Sequence, residues 1–277
     1  MERTTVNGVR LAYEVHGEGD PMLVIHGGFW ADVLRPLAGE AVLAGYRRIL
    51  YHRRGYGGSS GPAGGFESQV ADAVALLDHL EIDAAHVVGH SEGAMIGLSL
   101  AAEHPERVRS LSLLEPLPPT GWMAANGLTD GLEMLGAALA EALGRYQAGE
   151  PEGAVNAIFS ATIPDWREAV EAAWPGGVEQ GNKDSATMFE TEFPALGSWQ
   201  VGPEQAAAID CPVLSWQADP ANPLASAGRA FLHELFSQCE DADLEDATHF
   251  APLTEPGAVA EAVAAFVARH STPAVLA

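Results

Sequence analysis

Residues 89–93 follow the pattern G-x-S-x-G, with Ser91 at its centre. A short apolar run over residues 86–89 is typical of a buried strand, and residues 92–103 have a helical pattern that stops before Pro105. A tight turn between a strand and a helix lifts a serine hydroxyl out of the sheet, and glycines two positions away on either side avoid a clash. The helix N-terminus points its free N–H groups at the same spot. The pattern predicts that Ser91 is a nucleophile.

A serine hydroxyl becomes a good nucleophile only when a base takes its proton, so a histidine must lie nearby in the fold. The chain has ten histidines. His249 fits best, because it follows the last predicted strand and precedes the last predicted helix. A loop at that place could hold the imidazole over Ser91.

The base in turn needs a carboxylate that fixes its tautomer and stabilises the imidazolium. Two residues compete for this role: Glu115 ends a predicted strand, and Asp219 follows another. A carboxylate at the tip of an apolar buried strand is costly without a partner, whereas Asp is ordinary in a turn. The sequence therefore favours Glu115 and keeps Asp219 as the alternative.

An acyl-transfer intermediate also needs two backbone N–H donors for its oxyanion. The amide of Glu92, next to the nucleophile, is one candidate. The glycine-rich loop of residues 26–29 follows a predicted strand and can supply the second donor, for which we predict Gly28.

Short β-branched runs alternate with amphipathic runs in the first half of the chain, which is typical of βαβ units on a parallel sheet. Strands are predicted over residues 9–15 (as an edge strand), 22–25, 47–51, 86–89, 108–114, 211–216 and 242–245, and helices over residues 69–80, 92–103, 224–236 and 256–269. Residues 116–210 contain no convincing strand but have helical stretches at 132–146 and 166–173. We expect a core of residues 1–115 and 211–277 and a helical cap of residues 116–210.

The composition excludes several classes of function. The 277 residues are 47% hydrophobic, enough for a large core, and the net charge of −24 disfavours binding to nucleic acid or to an anionic membrane surface. The sequence contains neither a run of about 18 apolar residues nor a signal-peptide core, and Cys211 and Cys239 lie in no metal-binding motif. We expect a soluble cytoplasmic protein with reduced thiols and a small-molecule substrate, and the sequence leaves a homodimer open.

The order of these motifs resembles the α/β-hydrolase fold family over nearly the whole chain. The supporting segments are residues 26–29, 54–60, 89–93 and 248–250. The resemblance implies a mostly parallel eight-stranded sheet with helices on both faces, a helical cap insertion, a Ser–His–acid triad and no cofactor. Most members carry the acid after the seventh strand in a G-x-x-D turn, and here that turn lacks the glycine before Asp219. A similar subgroup, including lactone hydrolases that act on mycotoxins, has a Glu at the position of Glu115.

The family also contains other chemistries. Members with an Asp nucleophile are disfavoured by Ser91, whereas C–C bond hydrolases and non-hydrolytic or receptor-like homologues remain as alternatives. The plainest interpretation is a serine hydrolase of the carboxylesterase or lactonase type. For its substrate pocket we predict Phe29, Trp166, Met188 and Phe189. The expected cap has 3 basic and 14 acidic residues, so its field favours neutral, apolar esters or lactones.

Overall fold

A computed structural model describes residues 1–61, 63–219 and 221–271. Eight strands form one sheet: β1 (Glu2–Val6), β2 (Val9–His16), β3 (Pro21–Ile25), β4 (Arg47–Tyr51), β5 (Ala85–His90), β6 (Val108–Leu114), β7 (Val213–Gln217) and β8 (Glu240–Asp243). Their order is β1-β2-β4-β3-β5-β6-β7-β8, with β1 and β2 antiparallel to their neighbours and all other pairs parallel.

Helices connect the strands. They are α1 (Arg35–Gly39), α2 (Phe66–His79), α3 (Glu92–Glu103), α4 (Thr120–Ala125), α5 (Thr129–Gln147), α6 (Pro151–Phe159), α7 (Trp166–Ala173), α8 (Gly177–Thr187), α9 (Phe193–Leu196), α10 (Pro203–Ala206), α11 (Pro223–Leu235), α12 (Ala251–Thr254) and α13 (Pro256–His270). Short 3-10 turns cover Ala41–Leu43 and Pro105–Arg107, and a π-helix covers Met188–Glu192. None of the helices in the described ranges is both long and apolar enough to cross a bilayer.

The sheet has an apolar layer on each face, because side chains alternate along each strand. In β3, Met22 and Val24 belong to one buried cluster, with helices α1 and α13, and Leu23 and Ile25 belong to the other, with α2 and α3. Helices therefore cover both faces, as a parallel sheet requires. The predicted α/β architecture is confirmed.

The main difference from the predicted strands lies at one edge of the sheet. The strand expected at residues 9–15 as an edge is β2, which pairs with β4 on one side and with β1 on the other. The turn at Asn7 and Gly8, both with positive φ, folds β1 back as the true edge. The polar residues of β1 gave no apolar pattern that would have predicted it.

Every described secondary-structure element between β6 and β7 is helical, and we call residues 116–210 the helical insertion. Helices α5 and α6 of the insertion pack on each other, and α6 and α7 both contact α8. The insertion joins both buried clusters, one through Trp166, Val170 and Met188 and the other through Trp199, Val201 and Ile209.

A buried ion pair fixes the loop after β4 to helix α2. Arg54 donates from Nε and Nη2 to the two carboxylate oxygens of Asp72, both at 2.7 Å, and Asp72 is fully buried. Asn7 donates a further hydrogen bond to the same carboxylate at 3.0 Å. Because both charges are shielded from water, loss of one partner leaves the other charge buried without compensation.

Replacing Arg54 should therefore cost much more stability than replacing an exposed arginine. We expect Arg54→Met to lower the free energy of unfolding by about 3–5 kcal/mol. The matched control Arg109→Met breaks an exposed pair with Asp20 and should cost about 0–1 kcal/mol. Urea denaturation of both variants measures the difference, and equal losses would contradict this view of the buried pair.

Candidate active site

The strand ends at the centre of the sheet bring the predicted catalytic residues together. The parallel register pairs His90 of β5 with Leu114 of β6, and Leu114 with Trp216 of β7. The ladder continues one residue further, since the Ser91 N–H donates to the Leu114 carbonyl at 2.8 Å and the Glu115 N–H donates to the Trp216 carbonyl at 3.0 Å. Ser91 and Glu115 therefore leave the sheet side by side.

Ser91 has the backbone geometry of a strained turn, with φ 55° and ψ −124°. The glycines around it are required by space. A Cβ on Gly93 would lie 2.1 Å from the Ile25 carbonyl oxygen, and one on Gly89 would lie 2.3 Å from the Gly93 carbonyl oxygen. The strand, turn and helix pack so closely at this point that only glycine fits at the two outer positions.

Glu115 contacts His249 directly. Its Oε2 accepts a hydrogen bond from Nδ1 of His249 at 2.5 Å, and its Oε1 accepts one from the Ala218 N–H at 2.8 Å. With its proton on Nδ1, the imidazole has its Nε2 lone pair free to accept a proton. Ser91 and His249 line the same cavity, and no hydrogen bond joins their side chains among the described residues. Such contacts are often long without substrate.

Asp219, the alternative acid, has a different role in its loop. Its carboxylate accepts a hydrogen bond from the Ala221 N–H at 2.8 Å, which is the local turn expected for Asp. Asp219 also lines the cavity, but among the described residues it shares no hydrogen bond with His249. Of the two carboxylates, the structure brings Glu115 to the imidazole.

His90 holds the backbone of His249 in place, a contact that the sequence did not indicate. Its Nε2 donates to the His249 carbonyl at 3.0 Å, and the two ring centroids lie 4.6 Å apart. Burial, together with the nearby His249, lowers the pKa of His90 well below its ordinary value. His90 is therefore a neutral donor at neutral pH.

The glycine-rich loop after β3 lies against the turn at Ser91. A Cβ on Gly27 would lie 2.9 Å from the Ser91 Cβ, so the loop backbone approaches Ser91 closely. Gly28 and Glu92, the predicted oxyanion donors, line the same cavity as Ser91. Phe29 follows with a φ of 66°, which is unusual for a large side chain.

The cavity has a volume of about 450 Å³. Its walls are mainly apolar and come from both the core and the helical insertion; they include Phe29, Trp30, Val33, Met95, Leu135, Ile158, Phe159, Met188 and Phe193. The described lining residues include four acidic side chains, Glu92, Glu115, Asp219 and Asp246, and no Lys or Arg. The cavity thus offers apolar surface and, among its described lining residues, no Lys or Arg for a bound anion.

Two of the four predicted pocket residues do not line this cavity. Phe29 and Met188 are in its wall, whereas Trp166 and Phe189 are buried one layer behind it. Trp166 packs against Trp30, with ring centroids 5.8 Å apart, and Phe189 packs against Phe29 at 5.8 Å. Both aromatic residues support the wall, and this corrects the expected lining.

The sequence did not single out Trp30 and Phe159 as wall residues. Trp30 directly follows Phe29, the last residue of the glycine-rich loop, and this position was the available signal. Phe159 ends helix α6, and its ring contacts Trp30 with centroids 5.0 Å apart. That contact spans more than a hundred residues of chain, and a local pattern carries no information about it.

The two cysteines are free and poorly suited to compete as nucleophiles. Burial raises the pKa of the Cys211 thiol and of the Cys239 thiol to about 12 each. The thiolate is the reactive form, so both residues are almost entirely unreactive thiols at neutral pH.

Comparisons with known proteins decide the family. A family model described as alpha/beta hydrolase fold matches residues 15–148. A putative carbamate hydrolase RutD of Variovorax paradoxus is 30% identical over 281 residues, which cover 96% of this chain and 98% of that protein. The chain belongs to the α/β hydrolase fold family.

This α/β hydrolase is also 39% identical to a putative carbamate hydrolase RutD of Azorhizobium caulinodans, over 42% of the chain. It spans 43% of that relative's length, and less than half the length of two further curated relatives. The enol-lactonase from Burkholderia xenovorans LB400 has the same fold, with a TM-score of 0.74 at 20% identity over 96% of this chain and 100% of that one. The family predicted from the sequence is confirmed.

The strained backbone of Ser91 predicts a difference between two variants that both lack the hydroxyl. Glycine adopts a positive φ without the steric cost that alanine incurs. We expect Ser91→Gly to be about 1 kcal/mol more stable than Ser91→Ala, after allowing for the greater flexibility of glycine in the unfolded chain. Urea denaturation of the two variants measures this, and a less stable Ser91→Gly would contradict the strained turn.

Proposed function

We propose that this α/β hydrolase is a serine hydrolase that cleaves neutral, apolar esters or lactones through an acyl-enzyme. The observation that carries the proposal is the 2.5 Å hydrogen bond from His249 to Glu115, in a cavity that Ser91 also lines. A histidine fixed by a carboxylate next to a serine on a strained turn is the arrangement that makes a hydroxyl nucleophilic.

In the first step, Ser91 Oγ attacks the substrate carbonyl carbon and His249 Nε2 takes the hydroxyl proton. The negative charge that forms on the carbonyl oxygen is bound by the N–H groups of Gly28 and Glu92. Glu115 keeps the Nδ1 proton in place and stabilises the imidazolium. His249 then gives its proton to the leaving alcohol oxygen, the bond from carbonyl carbon to that oxygen breaks, and the acyl group stays on Ser91.

In the second step, water attacks the acyl-enzyme carbonyl carbon and His249 takes one of its protons. The same two N–H groups bind the second oxyanion. The bond between Ser91 Oγ and the acyl carbon then breaks, His249 returns the proton to Ser91, and the carboxylic acid leaves. One water is consumed and one ester bond is cleaved, so the free enzyme is restored.

The substrate class is inferred from the cavity. Apolar walls and a volume of about 450 Å³ suit a small apolar acyl or alcohol group. The lining carboxylates Glu115, Asp219 and Asp246, without a described Lys or Arg, disfavour an anionic substrate. The names of two similar proteins, an enol-lactonase and a putative carbamate hydrolase, also describe hydrolysis at a carbonyl carbon.

We further propose that the helical insertion acts as a cap, since its Phe159, Met188 and Phe193 form part of the cavity wall next to the core residues that carry the chemistry. The substrate selectivity of the enzyme would then come in part from residues of the insertion, which lie outside the core. The cytoplasmic location and the homodimer stay predictions.

A fluorophosphonate probe and an ester panel test the function. We expect stoichiometric labelling at Ser91, and a kcat/KM at least tenfold higher for p-nitrophenyl butyrate than for the matched anion p-nitrophenyl hemisuccinate. Absence of both labelling and ester or lactone turnover would refute the serine hydrolase. Turnover of a vinylogous diketone without ester turnover would favour a C–C bond hydrolase instead.

The choice of acid predicts unequal effects of two matched substitutions. Glu115→Gln should lower kcat about 10²–10⁴-fold, because the amide neither fixes the productive tautomer nor stabilises the imidazolium. Asp219→Asn should lower it less than about tenfold, since Asp219 caps its own turn. Steady-state kinetics on one neutral ester measures both, and equal losses or the reverse order would overturn the assignment of Glu115.

A further inference from the structure

A fully buried arginine lies behind the glycine-rich loop that approaches Ser91. Arg53 donates from Nε to the His26 carbonyl at 3.1 Å and from Nη2 to the Gly27 carbonyl at 2.9 Å. It thereby holds the backbone directly before Gly28. Two glutamates share its remaining donors.

The two glutamates come from different parts of the chain. Glu92 follows the nucleophile, and Glu192 ends the π-helix of the helical insertion; both are almost fully buried. Arg53 Nη1 donates to Glu192 Oε1 at 2.5 Å, and Arg53 Nη2 donates to Glu92 Oε2 at 3.0 Å. One guanidinium charge cannot neutralise two buried carboxylates, so one of the two carboxyl groups keeps its proton.

The hydrogen-bond donors around each carboxyl group indicate which one is charged. Besides Arg53, Glu192 accepts hydrogen bonds from the Tyr56 hydroxyl and from Gln69 Nε2, the latter at 3.0 Å. Glu92 accepts a hydrogen bond from Arg53 alone among the described residues. Donors stabilise the ionised form, so the negative charge lies on Glu192 and the proton on Glu92. Burial and the adjacent Glu192 also raise the pKa of Glu92 well above its ordinary value.

The other titratable groups around Arg53, which are His26 and Tyr56, are neutral. His26 Nε2 accepts a hydrogen bond from the backbone N–H of Arg53 at 3.0 Å, and His26 Nδ1 donates to the Gly27 carbonyl at 2.7 Å. Burial and the Arg53 charge lower the pKa of His26 well below its ordinary value. Burial and Glu192 raise the pKa of Tyr56 well above its own. The buried groups around Arg53 therefore carry one positive charge, on Arg53, and one negative charge, on Glu192.

The position of Glu92 makes its protonation state matter for the reaction. Its Oε2 lies 3.6 Å from the point where a Cβ on Gly28 would stand, and Glu92 lines the cavity. A carboxylate at this point would repel the oxyanion that forms near Gly28, whereas a neutral acid would not.

We propose that Glu192 is a positioning residue of the helical insertion: by pairing with Arg53, it holds Glu92 as a neutral acid beside the glycine-rich loop of residues 26–29. The inference rests on the proposed serine hydrolase and deepens it. It gives the insertion a role in the chemistry that is separate from shaping the cavity.

The substitution Glu192→Gln tests the inference, because Arg53 would then pair with Glu92 and stabilise its carboxylate. We expect kcat on a neutral ester to fall at least tenfold at pH 8, with a smaller change in KM. The ratio of variant to wild-type kcat should rise as the pH falls, since Glu92 regains its proton below its lowered pKa. Dividing by the wild type cancels the titrations that the two proteins share.

The matched control is Glu190→Gln in the same π-helix. Glu190 is exposed and accepts a hydrogen bond from the Tyr146 hydroxyl at 2.6 Å. The kcat of Glu190→Gln divided by that of the wild type should therefore stay near one at every pH. If Glu192 had a merely structural role, Glu192→Gln would lower kcat by the same factor at every pH. A flat ratio for Glu192→Gln, with an active wild type, overturns the inference.

Infrared spectroscopy tests the same point without turnover. With ¹³C-labelled glutamate, the wild type should show the carbonyl stretch of a protonated buried carboxylic acid at pH 7, and Glu92→Gln should lack it. A band that persists in Glu92→Gln, or no band in the wild type, contradicts the inference even if Glu192→Gln does not fold. An inactive wild type that retains the band would refute the proposed hydrolase and leave the neutral Glu92 standing.

Discussion

The parallel register of strands β5, β6 and β7 is the constraint on which the rest of the site depends. It pairs His90 with Leu114 and Leu114 with Trp216, and the hydrogen bonds of Ser91 and Glu115 extend the ladder by one residue. A slip of one residue would turn the side chains of a strand to the opposite face. Because both buried layers fix the faces, the register also fixes which two residues leave the sheet together.

Backbone strain is concentrated where the chain leaves this edge. Ser91, Glu115 and Phe29 all have positive φ, although none of them is a glycine. Such geometry persists only when the surrounding structure determines it more strongly than the local chain does. Here the surrounding structure is the sheet ladder and the close contact of Gly93 with the Ile25 carbonyl. The stable core thus supports a strained turn at Ser91, the proposed nucleophile.

Sequence patterns predicted the parts of the molecule that depend on local chemistry. Strand β4, helix α3 and helix α7 have the predicted bounds, because apolar periodicity and flanking Gly or Pro define them. The pairing of distant residues could not be predicted in this way. Glu115 and Asp219 were both plausible partners for His249, and only the fold brings the Glu115 carboxylate to the Ala218 N–H and to the imidazole. Arg53 and Glu192 lie 139 residues apart and gave no signal in either local segment.

In the proposed triad, Glu115 holds the Nδ1 proton of His249. Proton NMR of the enzyme labelled with ¹⁵N-histidine observes that proton directly, because a strong hydrogen bond to a carboxylate moves its resonance far downfield. We expect one such imidazole N–H resonance in the wild type, lost in Glu115→Gln and retained in Asp219→Asn. A downfield resonance that survives Glu115→Gln and disappears in Asp219→Asn would contradict this role of Glu115.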